Sequence, residues 1–280
     1  MEKKRLIIDL ARCVGCFNCL AACKDEFAGN SWLPYTDSQM KHDQKWIDVH
    51  RHERGAAPYT DVCYVPKLCN HCENADCEKA YPDAVKRRGD GIVLLDPEKA
   101  KGARALVSAC PHGMISWNDE LETAQKCTMC AHLLDSGWKE PRCVQACPLR
   151  AISIVSCGDA EFSEMIAGQE LTPLANGSHN PRVMYKNLHR YSCCFISGAL
   201  ACEADGEERA ASGAAVELYR NGELICSAET DFFGEFKIDR IPSGGGVYEL
   251  LYYYKGYEPV RTEVTVNGDS VCLDVVRLGA

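Results

Sequence analysis

Four cysteines near the start of the chain have a spacing that suits redox chemistry. Cys13, Cys16, Cys19 and Cys23 form the pattern C-x2-C-x2-C-x3-C. Where this spacing binds 4Fe-4S clusters, three thiolates of the run ligate one cluster and the fourth ligates a neighbouring cluster. The run therefore predicts at least two clusters, with a short loop that aims three sulfur atoms at one site and a helix that carries the fourth cysteine away.

Two further cysteine runs extend this pattern. The second run is Cys69, Cys72 and Cys77, with Tyr81-Pro82 where a fourth cysteine and its proline would fall, and the last is Cys127, Cys130, Cys143 and Cys147, followed by Pro148. A single C-x2-C pair is also common in zinc sites, but tetrahedral zinc sites rarely use a third cysteine at such close spacing. Three runs in a chain with nineteen cysteines favour iron-sulfur clusters over zinc.

The stretch "LDPEKAKGARALVSAC" is a copy of the first run that lacks three of its ligands. It aligns without a gap with "IDLARCVGCFNCLAAC" at an offset of 87 residues, from Cys23 to Cys110. The positions of the first three cysteines are occupied by Ala100, Ala103 and Leu106. An internal repeat of this kind indicates duplication, with two similar halves in one domain.

The position of the fourth cysteine decides how the four runs pair. Pairing the first run with the fourth and the second with the third completes three sites, whereas the other pairings leave sites incomplete. The predicted ligands are Cys13, Cys16, Cys19 and Cys147 for cluster 1, Cys23, Cys127, Cys130 and Cys143 for cluster 2, and Cys69, Cys72, Cys77 and Cys110 for cluster 3. The fourth site would have used positions 100, 103, 106 and 81, and we expect apolar core there. A three-iron cluster or a tyrosinate ligand from Tyr81 is the alternative.

Other residues near the runs have two interpretations each. His71, His112 and His132 are placed to donate hydrogen bonds to cluster sulfur, or to serve in packing or at the surface. Lys126 is placed to lie between a cluster and a partner's cofactor, or to be solvated. The cysteines outside the runs are predicted to be ordinary buried or surface thiols: Cys63, Cys157, Cys193, Cys194, Cys202, Cys226 and Cys272.

The elements that must position these residues change along the chain. Residues 1–157 hold fourteen of the nineteen cysteines, residues 158–195 are rich in loop-forming types, and residues 196–280 alternate with period two. We therefore expect a cluster-binding domain, a linker that packs on it, and an all-β domain of six or seven strands, as in a β-sandwich. Asn221-Gly222 suits a type I′ hairpin, because both residues tolerate positive φ, and Asn267-Gly268 is a second such pair.

Charge and composition exclude several classes of protein. The net charge of −9 does not suit nucleic-acid binding, which uses basic surfaces. No apolar run approaches the roughly 20 residues that cross a bilayer. Nineteen cysteines, an odd number bunched at short spacings, do not form a secreted disulfide framework. Because "MEKKRLIIDLARC" has no signal-peptide core, we expect a cytoplasmic protein; export with a partner that carries a twin-arginine signal is the alternative.

The duplicated runs and four further stretches carry a resemblance to a known family. The stretches are "DGIVLLDPEKAKG", "AQKCTMCAHLLD", "PRVMYKNLHRY" and "AETDFFGEFK". The chain resembles the iron-sulfur electron-transfer subunits of molybdopterin oxidoreductases of the dimethyl sulfoxide reductase family, and among them the small subunits of pyrogallol/phloroglucinol-type transhydroxylases. The fold that this implies is α+β: a duplicated ferredoxin-like 4Fe-4S domain, followed by a C-terminal all-β sandwich similar to transthyretin-like, immunoglobulin-like or carboxypeptidase-regulatory-like domains.

The resemblance also implies cofactors and partners. Three 4Fe-4S clusters are expected on this chain, and molybdenum in a bis-pterin guanine dinucleotide cofactor is expected on a large catalytic subunit that forms a heterodimer with it. Catalytic residues are then expected on the partner and none on this chain. A membrane anchor or a soluble electron donor is a further partner that the resemblance suggests.

Three functions follow from these features. The first is electron transfer within an enzyme that transfers hydroxyl groups between polyhydroxylated aromatic rings. The alternative is the small subunit of a reductive catechol dehydroxylase of the same family, which delivers two electrons to molybdenum. The second alternative is a free-standing polyferredoxin, which leaves the β-domain and the long linker without a role.

Overall fold

The computed structural model describes residues 2–174, 179–204 and 206–279. The chain divides into two units, and neither is continuous in sequence. The first consists of Met1–Arg51 and Cys63–Leu188, and the second of His52–Val62 and His189–Ala280. The boundaries drawn from the sequence, after residues 157 and 195, instead separate continuous segments, and they remain a prediction about functional domains.

Short strands and helices make up the first unit. The strands are β1 (Lys3–Asp9), β2 (Ile47–Ala56), β3 (Tyr59–Leu68), β4 (Val85–Arg87), β5 (Val93–Leu95), β6 (Ser116–Asn118), β7 (Thr123–Gln125), β8 (Ile152–Cys157) and β9 (Val183–Lys186), of which β2 and β3 extend into the second unit. The helices are α1 (Asn18–Phe27), α2 (Asp76–Ala80), α3 (Ala131–Asp135), α4 (Arg142–Gln145) and α5 (Asp159–Gln169), with one 3-10 turn at Arg104–Leu106. The predicted helix at the first run is confirmed, since α1 contains both Cys19 and Cys23.

A three-stranded sheet in the order β8-β1-β9 anchors this unit. The apolar run Leu6, Ile7 and Ile8 gives β1 a buried centre, which suits the middle strand of a sheet covered on both faces. Strand β8 pairs antiparallel to β1, with Ile8 opposite Ile152, so the end of β1 meets the start of β8. The loop after β1 carries Cys13, and the loop before β8 carries Cys147. The sheet therefore brings the first and last runs together.

Part of the segment expected to be a linker has regular structure. Residues 158–195 contain helix α5 and strand β9, and β9 pairs parallel to β1, with Leu6 opposite Val183. The predicted loop character came from Gly, Pro, Asn and Ser, and several of these residues flank the two elements rather than interrupt them. Residues 175–178, within this segment, lie outside the described residues.

The second unit is rich in strands. It contains α6 (His189–Ser192), β10 (Cys193–Ala204), β11 (Glu207–Ala210), β12 (Ala215–Arg220), β13 (Glu223–Glu229), β14 (Glu235–Pro242), β15 (Gly246–Tyr253), β16 (Val260–Val266) and β17 (Val271–Leu278). One four-stranded sheet has the order β11-β10-β14, with β17 paired to β10, and the other has the order β13-β12-β15-β16. Side chains from both sheets form one apolar core, which includes Ile196, Leu218 and Tyr252. The strand-rich C-terminal region that the alternation indicated is confirmed, although its described residues form eight strands instead of the predicted six or seven.

The two predicted turns have different outcomes. Asn221 and Gly222 join β12 to β13 with φ of 52° and 82°, which confirms the hairpin with both central residues at positive φ. Asn267 and Gly268 join strands of different sheets, because β17 pairs parallel to β10 instead of returning along β16. The prediction of a second hairpin was therefore wrong. Gly268 has a φ of 89°, but Asn267 does not have a positive φ, so the pair predicted neither a type I′ turn here nor the sheet that the next strand enters.

No helix in the described ranges is long and apolar enough to cross a membrane.

Candidate metal centres

Quartet 1, the set Cys13, Cys16, Cys19 and Cys147, lines a single cavity. The loop that carries its first three members turns tightly at Gly15, where φ is +67° and an added Cβ would lie 2.4 Å from the ring of Tyr64. Phe17, with φ of 59°, then starts helix α1. This local geometry turns three cysteines toward one point, as the spacing of the run predicts.

The environment of quartet 1 combines burial with hydrogen bonding to sulfur. Burial raises the pKa of the Cys19 thiol to about 12, and the neighbouring Cys13, Cys147 and Cys16 add to the rise. The backbone N–H of Ala151 donates to Cys147 Sγ at 3.2 Å. Such N–H donors stabilise a sulfur ligand that carries negative charge.

Quartet 3, the set Cys69, Cys72, Cys77 and Cys110, lines a second cavity. Burial raises the pKa of Cys72 to about 12, and Cys69, Cys110 and Cys77 raise it further. The backbone N–H of Met114 donates to Cys110 Sγ at 3.4 Å, four residues along the chain, as Ala151 does to Cys147. The same local geometry at both Cys-Pro positions agrees with the internal repeat.

Quartet 2, the set Cys23, Cys127, Cys130 and Cys143, lies deeper in the unit. Cys23 is on α1, Cys143 is on α4, and Cys130 immediately precedes α3 with φ of 50°. Burial raises the pKa of Cys143 well above its usual value, and Cys130, Cys127 and Cys23 are the next contributors. The four thiols are therefore close neighbours, although they come from three parts of the chain.

Charge interactions between thiols of different quartets indicate which quartets are neighbours. Cys19 of quartet 1 adds to the burial-raised pKa of both Cys23 and Cys143 in quartet 2. Cys69 of quartet 3 adds in the same way to the pKa of Cys127, which burial raises to about 11. Quartet 2 therefore has neighbours in both other quartets, which agrees with Cys19 and Cys23 lying on the same helix and with Lys126, next to Cys127, lining the cavity of quartet 3.

The donor set fits 4Fe-4S clusters. Each quartet supplies four sulfur ligands, and each contains a thiol that accepts a backbone N–H: Cys147, Cys110 and Cys127, the last with Met129 N at 3.3 Å. Within residues 2–174, 179–204 and 206–279, no three cysteine, histidine or carboxylate side chains form a group that could hold one metal ion.

Comparison with known proteins identifies the family. Residues 60–157 match the model of the 4Fe-4S dicluster domain. The chain is 40% identical to the pyrogallol hydroxytransferase small subunit of Pelobacter acidigallici, over 99% of this chain and 100% of that protein. It belongs to the family of iron-sulfur subunits of molybdopterin oxidoreductases. Like other members of this family, it is an electron-transfer subunit.

More distant relatives match a smaller share of this chain. One subunit of the tetrathionate reductase of Salmonella typhimurium is 36% identical over 51% of this chain and 53% of its own length. The arsenate respiratory reductase iron-sulfur subunit of a Shewanella species is 29% identical over 64% of this chain and 94% of its own. The structure of Klebsiella pneumoniae 5-hydroxyisourate hydrolase matches 31% of this chain and 87% of its own, at 18% identity and a TM-score of 0.26.

The four positions predicted to correspond to a lost fourth site are occupied by core side chains. Ala100 and Leu106 are fully buried, and Ala103 and Tyr81 pack against the same apolar cluster. Cys77 and Cys110 of quartet 3 also contact this cluster. The prediction that these four positions form core is confirmed, and the filled site supports one wall of the neighbouring quartet.

The lysine near the last run is buried beside quartet 3. Lys126 is 2% exposed, so its interpretation as a solvated side chain was wrong. Its ammonium donates to the carbonyl oxygens of Val93 and Cys127, and its charge lowers the burial-raised pKa of Cys77 and Cys110. These contacts place the ammonium at a position that residue type and spacing alone did not reveal.

Two of the histidines near the runs are also buried. His71 is 1% exposed and lines the cavity of quartet 3. His132 is 5% exposed; its Nε2 lies 2.9 Å from Glu26 Oε1, and its ring stacks on Trp32. His132 therefore has the packing role that the sequence left open. His112 is half-buried on the wall of quartet 3.

The cysteines outside the quartets include buried and half-buried thiols. Cys63, Cys157, Cys194 and Cys202 are buried, while Cys193, Cys226 and Cys272 are half-buried. Cys194 donates to the Gly268 carbonyl at 3.2 Å.

Proposed function

We propose that this iron-sulfur subunit relays electrons through three 4Fe-4S clusters in a heteromeric molybdopterin enzyme that acts on polyhydroxylated aromatics. The observation that carries the proposal is the grouping of twelve cysteines into three neighbouring quartets in a chain that is 40% identical to the Pelobacter small subunit over its full length. The proposed ligands are Cys13, Cys16, Cys19 and Cys147; Cys23, Cys127, Cys130 and Cys143; and Cys69, Cys72, Cys77 and Cys110. Molybdenum with its bis-pterin guanine dinucleotide is placed on the large partner subunit.

The order of the quartets supports a linear relay. When bound, 4Fe-4S clusters supply one-electron transfer at potentials that charge, hydrogen bonds and solvent exposure set. Quartet 2 has three buried cysteines and lies in the middle, so the chain shields it from solvent. Quartet 1 includes the exposed Cys16, which makes it an end of the relay that a partner can approach.

The surface around quartet 1 has the character of a docking site for the catalytic subunit. Val14, Phe17 and Leu149 line the cavity of quartet 1 and are 58%, 45% and 43% exposed. Exposed apolar residues that cluster around a site mark protein contacts. Because electrons must cross between subunits over a short distance, we propose that the large molybdenum subunit covers this apolar rim.

Val14→Glu is expected to weaken binding of the catalytic subunit at least tenfold, because it places an unpaired charge in a buried apolar contact. The matched control is Leu33→Glu, since Leu33 is also 58% exposed but does not line the cavity of quartet 1. Binding of separately purified subunits is measured by calorimetry, with the visible absorbance of the clusters as a check on cluster content. Equal affinity of the Val14 variant and the control would place the partner elsewhere.

Metal analysis tests the cluster count. The protein purified without oxygen is expected to contain about twelve iron and about twelve acid-labile sulfide ions per chain, which is four of each in every one of the three clusters. Zinc without sulfide would contradict the proposal. About sixteen iron per chain, which corresponds to four clusters, would contradict the interpretation that the fourth site is filled with side chains and binds no cluster.

The substrate class rests on the relative's name and is tested separately. Hydroxyl transfer between aromatic rings is neutral in redox terms, whereas reductive dehydroxylation of a catechol consumes two electrons. The intact complex is expected to convert pyrogallol-type substrates without a stoichiometric electron donor. A strict need for a low-potential donor would favour the dehydroxylase, and a stable holo-protein that never associates with a large subunit would favour a free-standing polyferredoxin.

The domain roles, the place of catalysis, the further partner and the cellular location are proposed together with this function. We propose that residues 1–157 hold the clusters, that residues 158–195 support them, and that residues 196–280 form a transthyretin-like or immunoglobulin-like packing module. Catalytic residues are placed on the partner and none on this chain. The far end of the relay is proposed to meet a soluble donor or a membrane anchor, in the cytoplasm or, with a twin-arginine partner, at the outer face of the cytoplasmic membrane.

A further inference from the structure

The cavity of quartet 3 contains a buried cation that pairs with no carboxylate among the described residues. Lys126 is 2% exposed, and both of the acceptors that its ammonium reaches there are backbone carbonyls, of Val93 and Cys127. An ammonium has three N–H donors, so one remains for a ligand in the cavity. A buried charge held only by carbonyl oxygens is costly unless an anion lies nearby. The missing anion fits the cluster that quartet 3 is proposed to hold.

A second donor faces the same cavity. His71 is 1% exposed, and its Nδ1 accepts the backbone N–H of Val93 at 3.1 Å, so Nε2 carries the ring proton. Nε2 is buried and has no hydrogen-bond partner within the part of the chain that the structure describes. Leaving a buried N–H unpaired costs about 1–3 kcal/mol, which a sulfur acceptor in the cavity would remove. The side chain is held in place by Val93, the residue that also positions Lys126.

The other two quartets have different charged neighbours within the described ranges. The cavity of quartet 1 is lined by no lysine or histidine, and its one cation, Arg12, is exposed. Near quartet 2, the charges of Lys24 and Lys126 lower the burial-raised pKa of Cys23 and Cys127. His132 and Arg142 both lie within 3.2 Å of Glu26 oxygens, so this carboxylate offsets part of the positive charge there. On the wall of quartet 3, Asp76 is paired with Lys79 and His179. Lys126 is therefore a positive charge in the cavity of quartet 3 that pairs with no carboxylate among the described residues.

We propose that Lys126 and His71 raise the reduction potential of the cluster at quartet 3, so that this end of the relay holds the electron. The inference rests on the proposed function and deepens it. Reduction at quartet 3 would add one electron, supplied through quartet 2, with no bond formed and no proton moved, so Lys126 and His71 would face one additional negative charge. A nearby ammonium and an N–H donor to sulfur both favour the reduced state, more so at low local dielectric.

The test is a redox titration of the purified complex, followed by electron paramagnetic resonance. Lys126→Met keeps the length of the side chain and removes its charge. It is expected to lower the equilibrium constant for reduction of one cluster at least tenfold, which corresponds to 59 mV for one electron. Lys126→Arg retains the charge and is expected to keep most of the potential. Lys99→Met, at an exposed lysine that does not line the cavity of quartet 3, is the matched control and is expected to change nothing.

A second variant keeps the test informative if Lys126→Met loses its cluster. His71→Asn removes the ring N–H and tolerates the positive φ of 44° at this position, and it is expected to lower the potential of the same cluster. Unchanged potentials in both variants, or loss of that cluster from both, would overturn the proposal, the second result because it would assign the residues to assembly. Iron content distinguishes failure of the proposed function from failure of this inference. A wild-type protein without iron would overturn the proposed function. About twelve iron per chain, with unshifted potentials in both variants, would overturn only this inference.

Discussion

Replacing Cys110 with alanine is expected to remove one cluster and leave the other two. Cys110 lies in a stretch without other cysteines, yet it lines the cavity of Cys69, Cys72 and Cys77. Losing one of four thiolates leaves a cluster with an open iron, and the remaining ligands come from one loop and the short helix α2. Iron content is expected to fall from about twelve to about eight per chain, with loss of one signal in electron paramagnetic resonance.

The matched control is Cys63→Ala, because Cys63 is buried in the same unit but lies outside every run. It is expected to retain all iron. Cys110 and Lys126 both line the cavity of quartet 3. The signal lost in Cys110→Ala is therefore expected to be the signal that Lys126→Met shifts. Loss of a different signal, or loss of all three clusters with a folded second unit, would show that the runs pair in another way.

Local sequence rules predicted much of this site. The rule for the fourth cysteine grouped Cys110 with a distant run, and the structure places it in that cavity. The repeat predicted that Ala100 and Leu106 form core, and both are fully buried. The Asn221-Gly222 pair predicted a hairpin. Each of these depends on residue type at fixed spacing, and the spacing itself constrains the backbone.

Features set by distant contacts could not be predicted in this way. Lys126 is buried because the carbonyls of Val93 and Cys127 accept its N–H groups, and no spacing rule links positions 93 and 126. Strand β9 forms by pairing with β1, although its own segment is rich in loop-forming residues. Likewise, residues 52–62 belong to the second unit although they lie among the cysteine runs in sequence.

Residues 52–62 carry a buried ion network of the second unit. Arg54 is 6% exposed and donates to Asp61 at 2.6 Å and to Asp239 at 2.8 and 2.9 Å. It also donates to the Cys193 carbonyl at 2.9 Å. Lys237 lies 3.5 Å from Asp61 and 3.3 Å from Asp239. One guanidinium therefore connects two carboxylates and the start of β10.

The network makes stability depend on pH in a definite direction. Burial opposes ionisation of Asp61, but hydrogen bonds from Arg190 and Arg54 hold its pKa below the usual value, and Arg54 does the same for Asp239. A folded-state pKa below the unfolded value adds stability above about pH 4, and this stability is lost as the pH falls toward the folded-state pKa. Acid is therefore expected to weaken the second unit first at these contacts.

Arg54→Met is expected to destabilise the second unit by about 3 kcal/mol at neutral pH, because it leaves two partly buried carboxylates without their main partner. The control is Arg261→Met, which breaks the exposed pair with Glu249 and is expected to cost less than about 1 kcal/mol.

Hydrogen exchange of β10 and β14 amides in the full-length holo-protein reports the opening free energy of this unit. The difference between Arg54→Met and wild type is expected to shrink below about pH 4, where protonated Asp61 and Asp239 no longer need a cation. A difference that stays constant between pH 7 and about pH 3 would show that Arg54 acts by packing against Phe195, 5.3 Å from its guanidinium carbon, and not by charge.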